Sequence, residues 1–263
     1  MQINLSFDRP EDGPGSGPIT VGWFLTSDKG AVLFDPPERL TIRPPNRGHA
    51  KSAARCPAVI QLESRYFVIK CPYDLHIGFR RDDKGKAVLV NRAGTSSPIR
   101  ASKLGEVLVL TNEAEWRFPD RPTLQLTLTY CFIADEMVYA SEVGAFAHYR
   151  PDPLPGTIFG GRFPLSVWPR PLMWAFEWHD ISRPIKISRG DPLFYAGFET
   201  TPQDRSVAMV EAEVTKDLSE YMEMISGAVN YVNQTFSLFE AAEARRPATL
   251  ISPVKRRIAD QST

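Results

Sequence analysis

No run of about 18 apolar residues occurs in the 263-residue chain, so nothing in it reads as a membrane-spanning helix. Residues 1–7 have neither a basic region nor an apolar stretch of signal-peptide length, and the expectation is a soluble, cytoplasmic protein with no membrane partner. Charge of one sign is also lacking: 31 Lys plus Arg balance 31 Asp plus Glu. No overall field draws the chain to nucleic acid, which leaves only the Lys255-Arg256-Arg257 end as a basic patch for it. Cysteine is scarce, and Cys56, Cys71 and Cys131 are odd in number and widely spaced. That fits reduced thiols better than a disulfide framework or a zinc knuckle, with a Cys56 to Cys71 bridge as the alternative. The residues two after His49, His76, His148 and His179 are Lys51, Gly78, Arg150 and Ile181, so the His-x-Asp, His-x-Glu and His-x-His pairs of iron-dependent β enzymes are missing. No G-x-S-x-G elbow, P-loop or dinucleotide glycine turn is present, and neither a cofactor nor a metal is expected.

Proline, by contrast, is abundant. The chain has 23, where ordinary usage of roughly 5% gives about 13, and a residue excluded from helix interiors and central strands implies a fold rich in turns and edges. Residues 8–18, dense in proline and glycine, read as a loop. Runs at 19–25 and 31–34 around Ser27-Asp28-Lys29-Gly30 predict a hairpin, and residues 35–54 a second loop. Strands are expected at 59–62, 66–71, up to Phe79, 87–90, 107–110, 136–140, 172–178, 185–187, 193–198 and 207–214, with a second hairpin turn at 81–86. The clearest is 123–130, where Leu124, Leu126, Leu128 and Tyr130 alternate with Thr123, Gln125, Thr127 and Thr129. With no helices between the strands, the fold class is mainly β, an antiparallel β sandwich or jelly roll. Over 217–245, Leu218, Met222, Ile225, Val229, Val232, Phe236 and Phe239 recur at steps of four and three, predicting one long C-terminal amphipathic helix with Thr215 as its N-cap, kinked near Ser226-Gly227 or projecting. The organisation is then a β domain over 1–214, a helix over 215–247 packed on that domain or on a neighbouring subunit, and a basic flexible tail over 248–263.

Three of five tryptophans fall between Trp168 and Trp178. On a strand, Trp174, Phe176 and Trp178 share one face and Met173, Ala175 and Glu177 the other. Such a ladder is either the centre of a core or a stacking platform for a sugar, base or peptide. Arg162, Arg170 and Arg189 are either an anion clamp or packing lids. Arg162, Arg170, Trp174, Trp178, Arg189 and Tyr195 are therefore the candidate ligand-binding residues, and no catalytic residue is singled out. A metal site would have to be assembled from scattered side chains such as Asp74, His76, His148, Glu177 and His179.

The segments Arg55-Cys56-Pro57-Ala58, Tyr66-Phe67-Val68-Ile69 and Cys71-Pro72-Tyr73-Asp74, followed downstream by the 174–178 strand and Arg189-Gly190-Asp191-Pro192-Leu193, resemble a family encoded by tailed bacteriophages and some bacteria. The likeness covers roughly residues 55–200. It implies a phage or bacterial origin, a compact β fold and, for a phage product, the host cytoplasm or the virion, while the family has no established activity to carry over. The first functional expectation is a non-enzymatic structural or interaction protein that docks on a partner or on copies of itself through its C-terminal helix. The rivals are a jelly-roll enzyme with a scattered metal site and a carbohydrate- or peptide-binding module built on the aromatic ladder.

Overall fold

A computed structural model describes residues 17–42, 52–97, 99–201, 205–231 and 235–255. The expected loop at 8–18 lies largely outside these residues, as do residues 43–51 of the loop expected at 35–54, His49 among them, and the arginines of the basic end. The described part of that second loop is not all loop, since residues 38–39 pair as a short strand and 53–55 form a 3-10 turn capped by Ser52. The chain is mainly β, with three mostly antiparallel sheets and a few short helices. The first sheet contains β1 (Ile19–Leu25), β6 (Leu108–Leu110), β7 (Thr123–Ile133), β9 (Gly156–Phe159), β11 (Pro171–Trp178) and β14 (Val207–Glu211). Its order is β14-β1-β7-β11-β9, with β6 also on β7, and β1 runs parallel to β14. The second holds β2 (Glu38–Arg39), β3 (Tyr66–Lys70), β8 (Val138–Gly144), β10 (Arg162–Pro164) and β13 (Pro192–Thr200) in the order β10-β8-β13-β3-β2. The third is β12 (Ile185–Ile187), β4 (Leu75–Arg81) and β5 (Ala87–Asn91).

The alternation in β7 explains how the layers form. Leu124, Leu126, Leu128, Tyr130 and Phe132 are fully buried in the main core, whereas Thr127 on the opposite face is exposed. After Tyr130 the alternation stops, and Cys131 and Ile133 are buried as well because a second apolar layer covers the far face. Phe132 meets Phe198 of β13 edge-on at 5.3 Å, so the first two sheets share one core, and Leu75, Ile77, Ile185 and Ile187 bring the third sheet into it.

Two expected strands are not strands. Residues 59–62 lie in α1 (Pro57–Arg65), because Pro57 presets the first helical turn and Leu62 then packs against the outer face of the second sheet. Residues 31–33 form a 3-10 turn in place of a hairpin arm. This turn leaves Val32 exposed and brings Phe34 onto Tyr130 and Tyr73, at 5.5 and 6.0 Å between ring centres. The hairpin at 81–86 does form, between β4 and β5. A single turn of helix, α2 (Leu104–Val107), precedes β6.

Among the described residues no long C-terminal helix is present. Thr215 caps α3 (Lys216–Ile225) as expected, its hydroxyl accepting from the Leu218 amide at 3.2 Å, but the helix ends at Ser226. Gly227 then takes a left-handed conformation with φ 70°, and α4 (Thr235–Glu243) starts anew. Periodicity continues through the break because both halves face the same sheet: Leu218, Tyr221, Ile225 and Ala242 cover Cys131 and Ile133. The stripe positions Val229, Val232 and Phe236 lie outside the described side chains. The start of the expected flexible tail is pinned, with Leu250 buried, its amide on Asp135 Oδ1 at 2.5 Å, and the Val254 amide on the Glu211 carbonyl at 2.9 Å.

Candidate functional site

The structure answers the aromatic-ladder question by burial. Trp174, Phe176 and Trp178 are at most 1% exposed, Trp174 stacks on Phe176 at 4.8 Å, and Trp178 Nε1 donates to the carbonyls of Asp180 and Arg183 at 2.8 and 3.1 Å. No ring face is left for a ligand to stack on, so Trp174 and Trp178 are core residues. The three arginines share no partner. Arg162 pairs with Glu199 at 2.8 Å above the Tyr139 ring, Arg170 lies over Phe163, and Arg189 reaches the Val32 carbonyl at 3.1 Å. They pack and pin, and they do not converge into a clamp.

The dispersed histidines and acids are equally separated. His76 is on β4 opposite Lys186, Asp74 accepts the Arg189 amide at 2.8 Å, and only Glu177 and His179 meet, at 2.9 Å. Among the described residues no three His, Cys, Asp or Glu side chains gather at metal-holding distance. The three thiols are unpaired; Cys56 is exposed, and burial pushes the Cys71 thiol up to about 12.

Cys71-Pro72-Tyr73-Asp74 and Arg189-Gly190-Asp191-Pro192, more than a hundred residues apart in the chain, clasp each other. The Cys71 amide donates to the Asp191 carbonyl at 2.8 Å, the Gly190 amide to the Cys71 carbonyl at 2.9 Å, and the Arg189 amide to Asp74. Gly190, with φ 86°, makes the turn between β12 and β13 tight enough for this. Asp191 Oδ2 takes the Ser188 amide at 3.0 Å and Arg150 Nη2 at 3.2 Å, which carries the clasp into the loop at 145–155.

That loop builds a cleft. Residues 145–155 leave β8, cross its end and return as β9, and three prolines at 151, 153 and 155 keep them out of any ladder. Between the loop and the sheets lies a cavity of about 580 Å³, walled by Leu154, Ile158, Leu193, Trp174 and Phe176. His148 and Arg150 stand at its mouth and are shared with an adjoining cleft of about 350 Å³ that includes Tyr149, Lys186 and Asp191. Tyr195 anchors the loop: its hydroxyl bonds His148 Nδ1 and accepts the Ala147 amide at 3.2 Å, while Phe146 packs edge-on at 5.1 Å. Burial raises the Tyr195 phenol above its ordinary value, and the bonds to Ala147 and His148 oppose that shift. Phe146 and Tyr149 are nevertheless 63% and 88% exposed.

Of the six expected binding residues, Tyr195 thus holds the loop and Trp174 lines the cleft, while Arg162, Arg170, Trp178 and Arg189 lie elsewhere. Phe146 and Tyr149 have a readable signal, namely aromatic residues inside a proline-interrupted loop, whereas Arg150, Leu154 and Ile158 have none. One acid near this end is unusual. Glu142, on the inner face of β8, is 9% exposed, and burial pushes its carboxyl up to about 7 although Arg170 opposes the shift.

Comparison with family models, with curated proteins and with solved structures gives no match for this chain.

Proposed function

We propose that the chain is a non-enzymatic interaction protein, a β sandwich of the phage structural or assembly type, and that the cleft under the 145–155 loop receives an apolar side chain of a partner protein. One observation carries the reading: Phe146 is left in solvent at an apolar cavity of side-chain size, and the exposed Tyr149 lines the cleft that adjoins it. Large apolar groups rimming a pocket are the ordinary anatomy of an interface anchor, in which one inserted aromatic or aliphatic residue supplies most of the affinity. The Arg150–Asp191 pair and the Tyr195–His148 bond support it further, because they hold the rim before a partner arrives and lower the ordering cost of binding. In this reading the helices are not the docking surface, since α3 buries its stripe on its own sheet. Among the described residues no helix is long and apolar enough to cross a membrane.

The test is a methyl NMR titration with N-acetyl-leucinamide and N-acetyl-tryptophanamide, which present partner side chains alone. Saturable shifts are expected at Leu154, Ile158 and Leu193 and are lost in Leu154→Asp. Absence of saturable shifts with either probe would overturn the cleft as an anchor site.

A further inference from the structure

Hydrogen-bond parity identifies a second surface, separate from the cleft. On β5 the Asp82 amide bonds the Lys86 carbonyl at 2.9 Å and the Arg92 amide bonds the His76 carbonyl at 2.7 Å. With the register Gly78↔Val90 and Arg80↔Val88, the bonded pairs use residues 86, 88, 90 and 92. The backbone groups of Ala87, Leu89 and Asn91 therefore point away from β4. On β6 the Thr111 amide bonds the Thr123 carbonyl at 3.0 Å and Val109 is opposite Gln125, so Leu108 and Leu110 direct their backbone groups away from β7.

These two outward edges border the same cavity, about 840 Å³, lined by Lys86, Ala87, Val88 and Leu89 on one side and Leu108, Val109, Leu110 and Thr111 on the other. Among the described residues no strand pairs with either edge there, and β5 and β6 do not pair with each other. One end is closed. Glu113 Oε1 accepts the Ala87 amide at 3.1 Å, and Arg81 fixes that carboxylate through both oxygens at 3.1 and 2.9 Å. The Glu113 oxygen here occupies the place a neighbouring strand's carbonyl would take. The Leu108 amide is also satisfied, by the Leu104 carbonyl. Leu89 and Leu110 are left facing the slot with a donor and an acceptor each. Thr111 Oγ1, buried beside them, has no hydrogen-bond partner. Val109, 40% exposed, offers apolar surface beside the edge.

One outward donor and acceptor from Leu89 on one side of the slot and from Leu110 on the other match one chemistry, an extended peptide backbone with its own donor and acceptor turned to each edge. A helix satisfies its own backbone groups. We propose that this slot takes an extended segment of a partner protein as an added strand, joining β5 of the third sheet to β6 of the first.

The experiment uses the full chain and amide exchange measured by NMR. In the free monomer the Leu89 and Leu110 amides should exchange at least tenfold faster than those of Val88, Val90 and Val109. The probe is the peptide acetyl-Lys-Thr-Val-Thr-Val-Thr-Val-Lys-amide, and the control is the same peptide N-methylated at alternate residues. The unmodified peptide should slow Leu89 and Leu110 at least tenfold, and the methylated one should leave them unchanged. The proposal is overturned if those two amides are already as slow as their neighbours in the free monomer, or if neither peptide slows them up to the solubility limit. It is overturned as well if both peptides slow them equally, which would mean side-chain docking, or if protection follows the concentration of the chain itself, which would mean pairing between copies.

Discussion

β11 and the 145–155 loop are both rich in aromatic residues, and the fold treats them in opposite ways. In β11 the rings sit at every second position of a regular strand, and pairing Trp174 with Leu126 and Phe176 with Leu124 turns that face onto the core. In the loop, prolines prevent pairing, so Phe146 and Tyr149 have no ladder to orient them inward and remain in solvent. What separates core from surface here is the backbone regularity around the aromatics, and their density carries no such information.

The contrast would break first at Trp178. Trp178→Ala should lower stability by about 3 to 5 kcal/mol, the usual range for an emptied aromatic site, and it also removes the donor to Asp180 and Arg183. Denaturant unfolding measures this; a loss below about 1 kcal/mol would mean that the β11 face is not the core.

Glu142 sharpens the comparison, because it lies on the inner face of β8, the strand that leads into the loop. Its carboxyl rises from 4.5 to about 7, so between those pH values the native chain holds a proton that the unfolded chain has released. Stability should therefore fall as pH rises through this window, and Glu142→Gln should be more stable than the parent at pH 8 by on the order of 2 kcal/mol. Near pH 4 the two should unfold alike. Equal stability at pH 8 would show that the carboxylate reaches water. A smaller effect is expected at Gly227, where alanine must adopt φ 70° at a cost of about 1 kcal/mol. A Gly227→Ala chain with an unchanged melting temperature would imply that α3 continues past Ser226.

Legibility followed the same division. The β7 pattern, the 81–86 hairpin and the Thr215 cap were readable because each depends on side chains within a few residues. The end of the alternation at Tyr130 was also in the sequence, but its meaning, a sheet covered on both faces, depends on α3, about ninety residues away. Pro57 and Gly227 were visible as residues, yet a proline marks either the start of a helix or an interruption, and a glycine in an amphipathic stripe either a kink or a break. The candidate cleft was the least legible part. Its walls come from β9, β11, β13 and the loop, and the arginines that cluster with the aromatics in the sequence, Arg162, Arg170 and Arg189, are each held by partners that only the fold supplies.

The smallest expected effect on stability is at Tyr149, and it separates the two regions most sharply. Tyr149 is 88% exposed, so its removal empties no cavity and leaves no buried polar group unpaired. Tyr149→Ser should then fall within about 0.5 kcal/mol of the parent, the ordinary range for surface substitutions. Phe146 differs by its edge-on contact with Tyr195, and Phe146→Ser should lose somewhat more, about 1 kcal/mol, the order of one aromatic pair. If the loop aromatics serve an interface, both variants should keep the parent's fold while weakening saturation of the cleft by N-acetyl-tryptophanamide. Wild-type affinity in both variants would place the aromatics outside the binding surface. A loss of several kcal/mol for Tyr149→Ser would instead show that the loop is packed like β11, and the distinction between the two aromatic regions would fail.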